Sequence, residues 1–278
     1  MPRQDEGWLE HRITRIDDAD DGRLSPYRNV RERDLVGREG RFIAEGKVVL
    51  NVLLANAAFA VESLLVLENR LAGLAQQIAL CPDDVPVYCV SRAVMDAIAG
   101  FPMHRGILAG GRRSAPRSAD QLIDALPAAS LAVVLCGISN HDNMGSIFRN
   151  AAAFEADCIL MDETSCDPLY RKAIRVSVGA ALKVPFAREG SIDDLVAKLQ
   201  QARFDIYALS PSGTASLYAA QPGSRTALLL GTEGEGLPKA LMQTLKTIRI
   251  PMSETFDSLN VATASGIALS RFSRFSGI

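Results

Sequence analysis

Three polar stretches carry the residues able to do chemistry, and each follows an apolar or β-branched run that reads as a strand. The first is Ser139-Asn140-His141-Asp142-Asn143-Met144-Gly145, with Arg149 one helical turn beyond. Arginine in the first turns of a helix opposes the macrodipole. Either a nearby acid pairs with it, or it holds an anion or a substrate hydroxyl. The second is Gly231-Thr232-Glu233-Gly234-Glu235-Gly236. Its glycines let backbone approach a ligand, but Leu237-Pro238 stands where a P-loop needs Lys-Ser/Thr, and the dinucleotide fingerprint also fails. An acid there repels phosphates and suits a ligand bearing positive charge or ribose hydroxyls. The third runs from Ile250-Pro251-Met252 to Asp257-Ser258-Leu259-Asn260, where Asp and Ser suit a helix N-cap. Behind it, Ala262, Ala264, Ser265 and Gly266 allow close approach of another backbone. An ordinary strand–loop–helix connection and a ligand loop both fit that stretch taken alone.

Two basic stretches are candidates for phosphate contact. Residues 104–117 hold Arg105, Arg112, Arg113 and Arg117 without an acid, and their Gly, Ser and Pro content reads as a flexible connector. Residues 168–186 hold Arg171, Lys172, Arg175 and Lys183, again without an acid. Arg171 and Arg175 share a helix face at i, i+4 and repel unless an anion intervenes. A third group, Arg23, Arg28, Arg31, Arg33, Arg38 and Arg41, is interleaved with Glu32, Asp34 and Glu39 and reads as a solvated charged face.

The elements that must position these groups alternate between strand and helix. In the N-terminal part, strands are expected at 41–46, 61–67 and 86–90, with helices at 47–58, 72–80 and 91–99. In the C-terminal part, strands are expected at 131–138, 157–161, 183–186, 205–209, 225–230 and 247–250. Helices fall between them at 144–155, 170–178, 192–202 and 237–245, then at 259–272. The fully apolar 131–138 run suits a parallel sheet buried on both faces. The three polar stretches follow strand ends, where open α/β sheets collect ligands. The expected division is a polar arm at 1–30, a small α/β domain at 31–111, a basic linker at 112–124 and the main domain at 125–278.

Bulk properties narrow the class. The chain has 278 residues, 48% of them hydrophobic, and a net charge of −2, so nucleic-acid contact must come from local patches. The five cysteines lack CxxC spacing and the three histidines are scattered, which argues against a disulfide framework and a metal site. The N-terminus has charge where a secretory signal needs an apolar core. The longest apolar run, 48–61, is too short to span a bilayer. The expectation is a cytoplasmic protein with no membrane partner.

Together, Asn140-x2-Asn143-x-Gly145-x3-Arg149-x-Ala151, Gly231-x-Glu233-Gly234-x-Gly236-Leu237 and Ile250-Pro251-Met252…Ser258-Leu259-Asn260 resemble the three motifs of the SpoU/TrmH family of RNA methyltransferases (SPOUT superfamily) over roughly residues 130–270. Arg175-x-Ser177-x-Gly179-Ala180 is similar to a further family segment, and residues 41–46 are similar to the small ribosomal-protein-like domain that members often carry. The resemblance implies an α/β fold: a parallel-sheet SPOUT domain tied in a trefoil knot, plus a small N-terminal α/β RNA-binding domain. It implies S-adenosyl-L-methionine as cofactor, an RNA substrate (rRNA or tRNA), methylation of a ribose 2′-hydroxyl and a homodimer formed through the C-terminal domain.

Carried onto this chain, the family's catalytic set is Arg149 with Asn140, Asn143, Glu233, Ser258 and Asn260. The cofactor set is Leu209, Leu230, Gly231, Gly236, Ile250, Met252 and Leu259. Arg105, Arg112, Arg113, Arg171, Lys172 and Arg175 are the RNA-binding candidates, and no metal is implied. The family's arginine is sometimes described as a general base, but a guanidinium keeps its protons. Holding the phosphate and orienting the hydroxyl suits it better. His141 is a local base or a loop residue. The loop 253–257 departs from the glycine-rich family pattern by holding Glu254 and Asp257, which leaves loop shape and substrate fit open. A non-catalytic RNA-binding or assembly factor retaining the fold is the alternative, and base methylation a third reading. Replacing Arg149→Ala is expected to abolish methyl transfer while largely sparing cofactor affinity; retained turnover would contradict the role given to it.

Overall fold

The computed structural model describes residues 6–28, 40–100, 102–113, 115–232, 234, 236–253 and 255–275. Arg31, Arg33, Arg38, Glu233 and Glu254 therefore lie outside the described residues. The chain divides into two compact units, residues 1–115 with 169–182, and residues 116–168 with 183–278.

The first unit is built on a five-stranded sheet in the order β1-β4-β3-β5-β2. After α1 (Glu6–His11), β1 (Ile13–Ile16) forms one edge, parallel to β4 with Ile13 opposite Val87. β2 (Arg41–Glu45) leads into α2 (Lys47–Leu54), and β3 (Phe59–Leu67) leads through a 3₁₀ turn into α3 (Ala75–Leu80). β4 (Val87–Val90) precedes α4 (Arg92–Ala99), whose N-cap Ser91 accepts from the Val94 N–H. β5 (Ile107–Arg113) then runs antiparallel to both β2 and β3.

Two sequence expectations change here. Residues 6–28 are not an arm: Leu24 and Tyr27 are fully buried, and the Tyr27 hydroxyl meets Ser63 Oγ at 2.7 Å and accepts from the Gly110 N–H. The strand went unnoticed because only Ile16 of its four residues faces the core. Nor is 104–117 a flexible connector, since its centre is an inner strand. Its glycines answer to packing: a Cβ on Gly111 would lie 2.5 Å from the Phe42 ring. Glycine in a strand marks such close approach as readily as it marks a linker. The expected boundaries 1–30, 31–111 and 112–124 shift accordingly.

The second unit carries a seven-stranded, wholly parallel sheet in the order β10-β12-β9-β11-β6-β7-β8. It opens with α5 (Ala119–Asp124), capped by a reciprocal Ser118–Gln121 box, inside the stretch expected to be linker. β6 (Ser130–Leu135) is buried along its whole length and sits between β11 and β7. α6 (His141–Ala153) and β7 (Cys158–Met161) follow. The short α7 (Arg171–Val176), although placed by sequence in the main domain, belongs to the first unit. It packs on β2, and the Asn56 side chain donates to the Leu182 carbonyl.

The rest of the second unit comprises β8 (Phe186–Arg188), α8 (Ile192–Gln201), β9 (Asp205–Leu209), β10 (Ala215–Ser216), β11 (Arg225–Leu230), α9 (Lys239–Thr244), β12 (Lys246–Arg249) and α10 (Val261–Phe272). β8 starts later than expected because Pro185 has no N–H for the ladder and only its carbonyl bonds, to the Ile159 N–H. Val133, Val134, Leu228 and Leu229 have no exposure, and burying each such side chain is worth about 1.5–3 kcal/mol. Because every strand runs the same way, the segments leaving β6, β9, β11 and β12 emerge at one end of the sheet.

The burial of Leu24 makes the N-terminal segment part of the first unit's core. Leu24→Ala is expected to cost about 2–5 kcal/mol of unfolding free energy in urea melts; a loss under about 0.5 kcal/mol would return residues 6–28 to the status of an arm.

Candidate active site at the strand ends

A cavity of about 340 Å³ opens at that end of the second unit. Leu209, Leu230, Gly231, Gly236, Ile250, Met252 and Leu259, the whole set expected to meet a cofactor, line it. Its described lining has no charged side chain, so a ligand there meets apolar walls, backbone polar groups and the neutral side chains of Ser210, Thr232, Ser258 and Asn260. The β11 exit is shaped by backbone proximity. A Cβ on Gly231 would lie 2.7 Å from both the Gly236 carbonyl carbon and the Leu237 nitrogen. Thr232 and Gly236 form an isolated antiparallel bridge, and Gly234 and Gly236 adopt φ of 99° and 70°. The glycines therefore fold the loop onto itself, bringing main-chain groups rather than side chains to the cavity edge.

Of the expected catalytic set, Ser258 and Asn260 line this cavity. Asn140 and Asn143 line an adjoining cavity of about 370 Å³ that shares Thr232 and Val261 with it. Asn140, not a residue inside the helix, is the N-cap of α6, its Oδ1 accepting from the Asp142 and Asn143 N–H groups at 2.8 and 3.4 Å. Asn260 does the same for α10, accepting from Ala262 and Thr263 at 3.0 and 3.2 Å. This corrects the assignment of the cap to Asp257 or Ser258.

The Asn260 side chain also bridges the two helices. Asn260 Nδ2 donates to the buried Asn143 Oδ1 at 2.9 Å. A neighbouring contact repeats the device, with Asn150 Nδ2 donating to the Ala262 carbonyl and to Ser265 Oγ at 2.8 and 2.9 Å. The small residues behind Asn260 let α10 lie against α6 here, where Gly266 faces the Asn150 amide.

Arg149 lies on α6 with its side chain exposed and has no hydrogen-bond or ion-pair partner among the described residues. No acid among the described residues pairs with it. His141 opens α6, half-buried. Ser210, Pro211, Thr232, Val261 and Ala264 also line the main cavity, and none of them was assigned to the site from the sequence. For the first two the Ser-Pro-Ser-Gly turn after β9 was a usable signal. Asn150 was visible beside Arg149 but had no assigned role.

All six RNA-binding candidates fall in the first unit. Arg112 Nε meets Glu62 at 2.9 Å, in a pair shared with Arg41 at 2.6 Å, and Arg105 lies 3.9 Å from the buried Glu45. Arg113 ends β5; Arg171, Lys172 and Arg175 lie on α7, and β2 adjoins both elements. The exposed parts of such pairs are worth at most about 1 kcal/mol, so exchanging a carboxylate for a phosphate costs little. No His, Cys, Asp and Glu cluster suited to a metal occurs among the described residues.

The model of the SpoU rRNA Methylase family matches residues 130–270. The chain belongs to that family. It is 39% identical to an uncharacterized tRNA/rRNA methyltransferase of Mycobacterium bovis over 90% of this chain and 88% of the relative. It is 30% identical to a 23S rRNA (guanosine-2′-O-)-methyltransferase of Ralstonia nicotianae over 62% of this chain and 70% of that protein. Its fold matches the crystal structure of an AdoMet-bound rRNA methyltransferase from Sinorhizobium meliloti with a TM-score of 0.78 and 22% identity, covering 93% and 97% of the two chains. The SpoU family places this chain among RNA methyltransferases. Of the motif residues read from the sequence, Asn140, Asn143, Gly231, Gly236, Ile250, Met252, Ser258, Leu259 and Asn260 line one or other of the two adjoining cavities, whereas Arg149 lines neither.

The double use of Asn260 predicts its energetic weight. Asn260→Ala removes a helix cap and leaves the Asn143 carbonyl oxygen buried without its donor, at an expected combined cost of about 2 kcal/mol or more in urea unfolding. A loss below about 0.5 kcal/mol would show that neither contact holds the two helices.

Proposed function

We propose that this protein transfers the methyl group of S-adenosyl-L-methionine to a ribose 2′-hydroxyl of a structured rRNA or tRNA. The observation carrying the proposal is the convergence of three strand exits on one cavity. That cavity has uncharged described walls and sharply folded backbone, and the helix that walls the adjoining cavity carries Arg149, which no acid among the described residues pairs with. The cofactor fits the residues present: apolar Leu209, Leu230, Ile250 and Leu259 suit the adenine, while main chain at Gly231 and Gly236 offers hydrogen bonds without a repelling charge. When bound, the cofactor supplies an electrophilic methyl group on a sulfonium.

The chain's own residues then have to hold the acceptor hydroxyl in line, because a displacement of this kind gains chiefly from positioning. Arg149 anchors a phosphate next to the target ribose and orients its 2′-hydroxyl. Asn140 closes the turn that presents α6, and Asn143, which accepts from Asn260 through Oδ1, keeps its amide hydrogens for other partners at the wall of the adjoining cavity. Ser258 offers a hydroxyl from the cavity wall. The hydroxyl proton leaves late, to water. Glu233 is assigned the support of the β11 loop. Arg105, Arg112, Arg113, Arg171, Lys172 and Arg175 are assigned to the RNA backbone. The proposal includes a threaded C-terminal chain, a homodimer through the second unit and action in the cytoplasm. Among the described residues no helix is long and apolar enough to cross a membrane.

The test is calorimetry with S-adenosyl-L-methionine, followed by methylation of RNA from cells lacking the protein and digestion to nucleosides. Saturable binding and label in 2′-O-methylnucleosides are expected. Label confined to bases would replace ribose with base methylation, and no cofactor binding would favour a non-catalytic RNA-binding factor.

A further inference from the structure

Asp162 stands just beyond the end of β7, outside both cavities and outside every motif described above, and is 5% exposed. Its carboxylate collects donors from two strand exits. The Gly137 N–H reaches Oδ1 and Oδ2 at 3.0 and 3.1 Å. Thr164 Oγ1 donates at 2.9 Å, and Ser165 donates through both its N–H and its hydroxyl at 3.0 and 2.8 Å. The same Ser165 hydroxyl accepts from the Ile138 N–H at 3.1 Å, and the Cys166 N–H donates to the Ile138 carbonyl at 2.8 Å. The segment that leaves β6 for Asn140 is thus held at consecutive peptides by the turn leaving β7.

The grip is directional. Gly137 has φ 66°, and a Cβ there would lie 2.7 Å from Thr232 Cγ2, so this exit is pressed between Asp162 on one side and the β11 loop on the other. From it the hydrogen bonds run on without a break in logic. Asn140 caps α6, Asn143 in its first turn accepts from Asn260, and Asn260 walls the cofactor cavity. Cys136, just before the clamp, is buried, and burial together with the adjacent Asp162 charge pushes its thiol up to about 11. Gly137 and Ile138, the two residues held in this way, line the adjoining cavity.

We infer that Asp162 is a positioning residue for methyl transfer, clamping the β6 exit through Gly137 and, by way of Ser165, Ile138, so that Asn140, Asn143 and Arg149 are presented at a fixed height against the cofactor cavity. This rests on the functional reading above and adds a residue that acts through others. An asparagine at 162 retains one acceptor oxygen but faces the remaining donors with an NH₂ group, which leaves a buried N–H unsatisfied. A loosened exit shifts α6, and displacement by about 1 Å costs about 100-fold in a positioned reaction.

The experiment compares wild-type protein with Asp162→Asn and Ser165→Ala by thermal melting, S-adenosyl-L-methionine calorimetry, amide hydrogen exchange and transfer of tritiated methyl groups to total RNA from cells lacking the protein. Both variants are expected to keep the cofactor affinity within about threefold, since their cavity lining is intact. Their saturated transfer rate should fall about tenfold or more with little change in half-saturating RNA, and amide exchange over 137–143 should quicken. A folded Asp162→Asn protein with wild-type turnover and exchange overturns the inference. So does a uniform fall in stability and cofactor affinity with turnover per bound cofactor unchanged. If Asp162→Asn fails to fold, Ser165→Ala decides, because it removes only the Ile138 acceptor and one hydroxyl donor. A wild-type protein that transfers no methyl group overturns the functional reading itself; wild-type transfer with unimpaired variants overturns this inference alone.

Discussion

The candidate site depends on one hydrogen bond, Asn260 Nδ2 to Asn143 Oδ1 at 2.9 Å. Asn143 belongs to the first turn of one helix and Asn260 caps the other, and the Asn150 contacts to Ala262 and Ser265 tie the same two helices one turn further on. Asn260 satisfies its own helix with Oδ1 and the neighbouring helix with Nδ2. An amide is the group that can do this, since it offers an acceptor and donors on one rigid plane. A carboxylate in its place would bring two acceptors to an acceptor. Once α6 and α10 are fixed, Arg149 and the wall of the cofactor cavity are fixed with them.

Around that bond the parallel sheet acts as a jig. Its strands deliver four exits at one end, and small differences in each exit decide what the end can hold. At β11 the exit is narrowed by glycines until backbone itself is the recognition surface. At β6 it is gripped by Asp162 and Ser165, at β9 it turns through Gly213 against Ile248, and at β12 it is stopped by Pro251. Nothing in the described lining brings a formal charge, which suits a cationic sulfonium and a neutral hydroxyl. In the proposed reading, the charge that an RNA requires is assigned to Arg149 and to the basic residues of the first unit.

Much of this was legible in the sequence because the motifs combine types that ordinary cores avoid. Asn140, Asn143 and Asn260 at strand exits, and glycines spaced as at 231, 234 and 236, are expensive in a fold that does not use them. The parallel sheet was legible from runs such as 131–138. The N-terminal part was read less well, for physical reasons that can be named. Strand β1 buries one residue in four, so its pattern resembles a polar lead-in. Gly110-Gly111 resembles a linker because the sequence does not show Phe42 and Tyr27 pressing on that strand. The 169–182 segment packs on β2 through Ala173 and Ile174, a long-range match invisible to local periodicity. Asp162 escaped notice because an isolated acid after a strand looks like any turn residue until its donors are seen.

The central claim is that this constellation methylates ribose in RNA with Arg149 as the orienting group. The most direct measurement maps 2′-O-methylated nucleotides in rRNA and tRNA from cells with the protein, without it, and without it but supplied with the Arg149→Ala variant. The account predicts a discrete position that is methylated only when the wild-type protein is present. An unchanged map on loss of the protein, or full restoration by the variant, would contradict it.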